Sequence, residues 1–441
     1  MTPLDIIADA CRRSPRSVRE GRLVGVTAQG ATASGLGRLP IGSRVRIVAP
    51  LQDGLLADIV GSDSAGTRLA CLGSTDGLAP GGRITAEPAA SLHPHPNWRG
   101  RILDAFGQAL DGLGPLAHGS RACPLRRPAP DAAVRRGFGP RLSTGIHAID
   151  LFAPLCEGQR IGIFAGSGVG KSVLMNMIAD RTPADAIVVG LIGERGRELR
   201  AFIDAMTPQT RSRTTIVIAT SDSAAAVRRE AAYAATAVAE GFAAQGMVTL
   251  LLMDSITRFA MAGREIGLAA GEPPAVRGFP PSVFAELPRL LERTGPATES
   301  AAPITAIYTV LVDGGDHDEP VADAVRGILD GHLVLSRAIA ERGRLPAIDV
   351  LRSVSRSLPE AHGDDELTLM REARGLLSDM ADVEAVVRLG AYERGSNART
   401  DRAIALAPRI ESFLTQSPRQ PFERLPFAAL TDLLKEQPKD D

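Results

Sequence analysis

Lysine is nearly missing from this 441-residue chain. Of its 50 lysine and arginine residues only Lys171, Lys435 and Lys439 are lysine, so before the last few residues arginine is used everywhere except at one position. A coding bias toward arginine explains the arginines and leaves the exception unexplained. A site that needs a compact ammonium on a flexible stem, rather than a planar fork, explains it. Charge of one sign is lacking too: the formal net charge is -1, which excludes a global basic field that would draw the whole protein onto nucleic acid or an anionic membrane. Aromatic residues are only 4%, too few for an aromatic-rich β surface on which bases would stack. The cysteines, Cys11, Cys71, Cys123 and Cys156, stand far apart without a CxxC pair, which excludes a disulfide framework and points to a reducing compartment, the cytosol by default. No run reaches the ~20 apolar residues of a membrane-spanning helix. The start, where Asp5 and Asp9 break the stretch Leu4, Ile6 and Ile7, lacks the basic lead and apolar core of a signal peptide.

What is present is the balance of a globular protein, 44% hydrophobic and 23% charged, long enough for two to four domains. From 22 to 90, short apolar runs (23–26, 43–49, 55–60, 68–72) are cut by Gly, Pro, Asp and Ser, the rhythm of a small closed antiparallel β unit. Residues 88–99 read as a connector. Residues 100–139 read as irregular, with a run rich in Arg and Pro (Pro124, Arg126, Arg127, Pro128, Pro130) expected to wrap a surface in extended form. After Leu142, buried strands at 160–165, 186–193, 215–220, 248–254, 304–312 and 332–335 alternate with helical stretches such as 223–244, which Ser221 or Asp222 can cap. That alternation predicts an α/β domain with a mostly parallel sheet and helices on both faces. The tail from 359 to 434 has amphipathic stretches, 367–380 and 402–414 among them, and predicts a helical bundle.

The isolated lysine stands in Ala165-Gly166-Ser167-Gly168-Val169-Gly170-Lys171-Ser172. This is the phosphate-binding pattern GxxxxGK[ST] with its first glycine replaced by Ala165. It follows a predicted strand and opens a predicted helix at Val173, the setting in which free backbone N–H groups meet phosphate. Gly166, Gly168 and Gly170 let the chain curl around an anion. Lys171 suits the β- and γ-phosphates of ATP, and the Ser172 hydroxyl suits Mg²⁺. Binding alone is not hydrolysis. The apolar run ending in Asp254 delivers a carboxylate to the same sheet edge, where it suits Mg²⁺ or its waters; the alternative, a helix N-cap, is compatible with it. Glu194, at the tip of the strand 186–193, is placed to orient and deprotonate an attacking water.

Four segments then carry a resemblance: 165–174, 191–198 (Leu-Ile-Gly-Glu-Arg-Gly-Arg-Glu), 271–284 (from Gly-Glu-Pro-Pro to Phe-Pro-Pro-Ser-Val-Phe) and 328–337 (Ile-Leu-Asp-Gly-His to Leu-Ser-Arg). In this order they resemble the type III secretion ATPases, the flagellar export branch most closely, which are related to the subunits of rotary ATP synthases. The resemblance spans about residues 20 to 435. It implies an N-terminal partner-binding segment (1–21), a β-barrel (22–92), a RecA-like P-loop nucleotide domain (93–358) and a C-terminal helical domain (359–441). It also implies a homohexamer that hydrolyses ATP with Mg²⁺ at each interface. Within it Glu194 takes the catalytic glutamate position and Asp254 the metal-side carboxylate. Ser353-Val354-Ser355-Arg356 matches the segment that supplies an arginine finger to the neighbouring chain, which makes Arg356 the candidate. Where many relatives stack an aromatic ring on adenine, this chain has Leu345, which packs apolarly without stacking.

The function so implied is energising or priming of flagellar type III export. A virulence injectisome ATPase is the near alternative, set against by the Gly-Ser-Gly-Val-Gly form of the loop, and a rotary synthase subunit or an RNA-translocating ring are further ones. The implied partners are a regulatory stator-like protein at the N-terminus, and export chaperones, substrates, a central stalk and a membrane export gate, with no nucleic acid. The implied place is the cytoplasm, peripheral to the inner-membrane export apparatus.

Overall fold

The computed structural model describes residues 20–28, 30–36, 39–49, 52–312, 319–358, 360–418 and 426–435. Most of the expected N-terminal partner-binding segment lies outside the described residues, as does the end of the tail.

Six strands, β1 (Glu20–Thr27), β2 (Gly30–Ser34), β3 (Arg44–Ala49), β4 (Gln52–Asp63), β5 (Gly66–Cys71) and β6 (Arg83–Ala86), close into a barrel in the order β1-β2-β5-β4-β3-β6. Alternation does the work: Leu23 faces in while Arg22 and Val24 face out, and Ala33, Val45, Ile47, Ala57, Ile59, Leu69 and Ile84 fill the interior. One buried pair, on the face of the strands opposite the interior, is ionic. Arg44 Nε donates to Asp58 Oδ1 at 3.0 Å, and Arg229 stands 3.6 Å from Asp58 Oδ2. The apolar runs anticipate β1, β3, β4 and β5. They miss β2, whose Gly-Ala-Thr-Ala-Ser carries no large apolar residue, and β6, which is only 4 residues long.

The nucleotide domain is built on an eight-stranded sheet in the order Ile348–Ser355, Gly331–Leu335, Arg160–Ala165, Ile304–Leu311, Thr249–Asp254, Ala186–Glu194, Thr214–Thr220, Ile102–Leu103. All neighbours are parallel except the first pair. The inner strands are buried along their whole length, as a sheet covered on both faces requires. Two edge strands are additions to the sequence reading. Ile102–Leu103 is too short to show a period, and it lies in the stretch read as irregular. Ile348–Ser355 alternates in burial and carries Asp349, Arg352 and Ser353, so it lacks the continuous apolar run of its neighbours. The helix read as 223–244 spans Ala225–Ala243, so neither Ser221 nor Asp222 is adjacent to its first turn.

The Arg/Pro run is non-helical and tied to the domain by charge. Arg126 reaches Glu230 at 3.1 Å and Glu286 at 3.3 Å, and its guanidinium lies 3.7 Å over the Tyr233 ring. Close by, Arg293 forks onto Glu240 at 2.7 and 2.9 Å and donates to the Leu125 carbonyl at 2.6 Å, fully out of solvent. Carboxylates buried this deeply need such partners.

Among the described residues three helices form the C-terminal bundle: Asp364–Arg388, Ala398–Leu414 and Phe427–Lys435. The first two run longer than the amphipathic stretches suggested: capping starts both earlier, and the first also continues to Arg388. Glu366 accepts from the Gly363 N–H at 3.2 Å, and the Asn397 side chain accepts from the N–H groups of Arg399 and Thr400. Leu367, Met370, Leu376 and Leu377 pack with Leu406, Ile410, Phe427 and Leu430 in a core continuous with that of the sheet. No described helix is long and apolar enough to cross a membrane.

Candidate functional site

Parallel register brings the chemistry to one sheet edge. Ala165 is aligned with Leu311 and Leu335, and Asp254 with Leu191, so the segments that follow these strands emerge side by side. Ala165 is a buried strand residue in this alignment, not part of the turn, and so an alanine serves where the common pattern has glycine. The turn itself needs glycine at Gly168 and Gly170, whose φ values are +78° and +93°. Between them Val169 is buried and pins the loop into the core. The helix Lys171–Arg181 then starts at a left-handed Gly170 with no side-chain cap, so its first N–H groups are left for an external acceptor. Ser172 and Val173, in the first turn, are exposed.

Inside the crevice Lys171 stands between two carboxylates. Its Nζ is 2.5 Å from Asp254 Oδ1 and 3.8 Å from Glu194 Oε1. Asp254 Oδ1 also accepts from Thr309 Oγ1 at 2.6 Å, which fixes that carboxylate from the next strand. The alternative role of Asp254 as a helix cap is taken by its neighbour: Ser255 Oγ accepts from the Arg258 N–H at 3.2 Å and starts the helix Ile256–Ala269. Asp254 is thereby left to the crevice.

Glu194 is different. It is buried, and its Oε1 has no hydrogen-bond partner among the described residues. Burial pushes its carboxyl up to about 7; the Asp254 charge and a hydrogen bond with Glu198 push the same way, while Lys171 and Arg258 pull it down. The strand that carries it shifts register between Ile192 and Glu194, and Gly193 has φ +69°, so the chain bends just before the carboxylate.

The other two sequence candidates sit apart from this cluster. Leu345 is half exposed, and its carbonyl accepts from the Gln416 N–H at 2.7 Å, so the segment after the second C-terminal helix fixes its backbone. Gln416 in turn accepts from the His147 N–H at 2.7 Å. Arg356 is exposed and follows Ser355, which pairs with Gly331 at the beginning of a strand whose end, Leu335, lies beside Ala165. A strand length of roughly 13 Å therefore separates Arg356 from the P-loop edge of its own chain.

Sequence reasoning missed Thr309, Arg258 and Arg337. Thr309 carried a usable signal, a hydroxyl inside an otherwise apolar buried strand that had to find a partner. Arg258 lies four residues beyond Asp254. Arg337, just past the end of the strand beside the P-loop strand, donates from Nη2 to the Ser167 carbonyl at 2.9 Å.

Known proteins share this chain's family and fold. Residues 145–355 match the ATP synthase alpha/beta family, nucleotide-binding domain, and residues 363–435 match the T3SS EscN ATPase C-terminal domain. The flagellum-specific ATP synthase of Caulobacter vibrioides is 50% identical over 389 residues, 87% of this chain and 88% of that protein. That of Salmonella typhimurium is 41% identical over 430 residues, covering 94% of this chain and 93% of its own length. The assembled ATPase EscN of the enteropathogenic E. coli type III secretion system superposes with a TM-score of 0.86 at 37% identity, over 94% of this chain and 98% of EscN. The chain is an ATPase and belongs to the family of flagellum-specific ATP synthases and type III secretion ATPases.

Proposed function

We propose that the chain hydrolyses ATP as one subunit of a homohexameric ring that energises or primes type III export of flagellar proteins. The observation that carries the catalytic part is the buried Glu194 carboxyl, raised to about 7 and with an oxygen lacking a hydrogen-bond partner among the described residues, beside the Lys171–Asp254 pair.

The residues present fit ATP and Mg²⁺: an uncapped helix N-terminus, an ammonium on a flexible stem, an exposed first-turn hydroxyl and a buried carboxylate anchored by Thr309. The backbone of Gly166, Ser167, Gly168, Val169, Gly170, Lys171, Ser172 and Val173 cradles the phosphates. Ser172 and Asp254 hold Mg²⁺, which supplies charge neutralisation of the phosphate oxygens. Lys171, drawn toward phosphate, loosens its hold on Asp254. Glu194 orients the attacking water and takes its proton, the role its raised pKa favours near neutral pH. Arg356 completes the site of an adjacent subunit, a reading supported by its distance from its own P-loop. Leu345 packs against the adenine.

The ring reading is supported by the similarity to EscN, whose structure is that of an assembled ATPase and has also been solved in complex with its central stalk EscO. A central stalk, chaperones and substrates at the helical domain, a stator-like regulator at the N-terminus, and a cytoplasmic position beside the membrane export gate complete the proposal. The test is ATPase rate per subunit against protein concentration. A steep rise supports catalysis completed by a neighbour, and a flat, fully active monomer contradicts it.

A further inference from the structure

We infer that Arg337 is a positioning residue for phosphate binding: its hydrogen bond to the Ser167 carbonyl holds the Ser167–Gly168 peptide so that the Gly168 N–H faces the nucleotide. The inference rests on the reading of residues 166–173 as the ATP phosphate site.

The peptide in question is soft. Rotating a peptide plane changes ψ of the residue before it and φ of the residue after it, and here the residue after it is Gly168 at φ +78°. Glycine populates both signs of φ at similar cost, so nothing intrinsic to the chain keeps this plane in one orientation. Steric confinement does not keep it either, since a Cβ built on Gly168 or Gly170 meets nothing within 4 Å. A flipped plane would turn a carbonyl dipole, instead of an N–H, toward phosphate, and repel it. Val169 anchors the loop on one side by burial, which fixes its path without fixing the preceding peptide.

Arg337 supplies what is missing. The register that sets Ala165 beside Leu335 also sets the loop 166–170 beside Ser336 and Arg337. Among the described residues Arg337 is the only side chain that hydrogen-bonds the backbone of 166–170, with Nη2 2.9 Å from the Ser167 oxygen. The Ser167–Gly168 bond is trans, so with the carbonyl turned to Arg337 the Gly168 N–H is directed away from it. Arg337 also has no carboxylate partner among the described residues, so its charge strengthens the bond it makes to the carbonyl. The ammonium of Lys171 and the guanidinium of Arg337 thus have separate tasks. One meets the anion, and the other shapes the loop that receives it.

The test uses the full chain, with binding of a fluorescent ADP analogue in the presence of Mg²⁺, steady-state ATP hydrolysis and thermal unfolding without nucleotide. Arg337→Ala is expected to weaken ADP binding and raise KM by about tenfold, the loss typical of one hydrogen bond from a charged donor, with kcat within about threefold of the parent. Arg337→Lys keeps the charge and lacks the planar fork, and it should recover part of that loss. The unfolding temperature without nucleotide should match that of the parent for both. Unchanged affinity in Arg337→Ala overturns the inference, and so does a loss of affinity that appears only with a matching loss of nucleotide-free stability. Failure of the parent chain itself to bind the ADP analogue overturns the phosphate-site reading instead.

Discussion

Lys171 Nζ lies 2.5 Å from Asp254 Oδ1, an oxygen that Thr309 also holds at 2.6 Å. That shared oxygen separates the roles of the two carboxylates in the crevice. Asp254 is paired and fixed, which suits its proposed place on the metal side. Glu194, 3.8 Å from the same ammonium, keeps an oxygen without a hydrogen-bond partner among the described residues and a raised pKa, which suits its proposed role as proton acceptor for water.

The pKa has a kinetic sign. Glu194 accepts a proton only when ionised, so kcat/KM should fall as pH drops through about 7, tenfold per unit below it, where an ordinary glutamate would hold activity down to its usual range. A pH profile flat from 8 to ~5.5 contradicts this assignment.

The same pKa has a sign for stability. A carboxyl whose folded pKa is raised from 4.5 to about 7 has its favoured protonated form below that range and becomes destabilising as pH rises through it. Glu194→Gln, permanently neutral, should unfold at a higher temperature than the parent at pH 8, and the difference should shrink toward pH 5. Thermal scans at the two pH values check the direction.

Arg356 is predicted to act between chains. Arg356→Ala should cost ~10³-fold or more in kcat. Mixed with Glu194→Gln, which keeps Arg356 but lacks the base, it should regain activity above that of either variant alone, because some interfaces then join an intact Glu194 to an intact Arg356. No recovery on mixing, measured by phosphate release under assembling conditions, contradicts a finger supplied in trans.

Buried charge gives a prediction away from the crevice. Arg293→Met leaves Glu240 buried with, among the described residues, only the more distant Arg127 as ion-pair partner, at 3.8 Å, and should destabilise the fold by about 3–5 kcal/mol in denaturant unfolding. The double substitution that also replaces Glu240 with Met should cost less.

Much of this was legible in the sequence, for local reasons. The P-loop was readable because its glycines act through the backbone and Lys171 through its ammonium within eight residues, and the inner strands because a sheet covered on both faces demands unbroken apolar runs such as Ile187 to Ile192. Glu194 and Asp254 were readable as strand-end carboxylates. Contacts set by register rather than by sequence spacing were not: Thr309 on Asp254, and Arg337 on Ser167, join residues 55 and 170 positions apart. The antiparallel edge Ile348–Ser355 was hidden by its own polar residues, yet it is this strand that ends beside Gly331, just before Arg356, at the opposite end of the strands from the P-loop.

Phosphate release from ATP by the parent chain and by Glu194→Gln, with binding of Mg·ADP measured alongside, tests the central claim most directly. The account predicts a ~10²- to 10⁴-fold fall in rate with ADP affinity retained. Equal rates in the two proteins would contradict it.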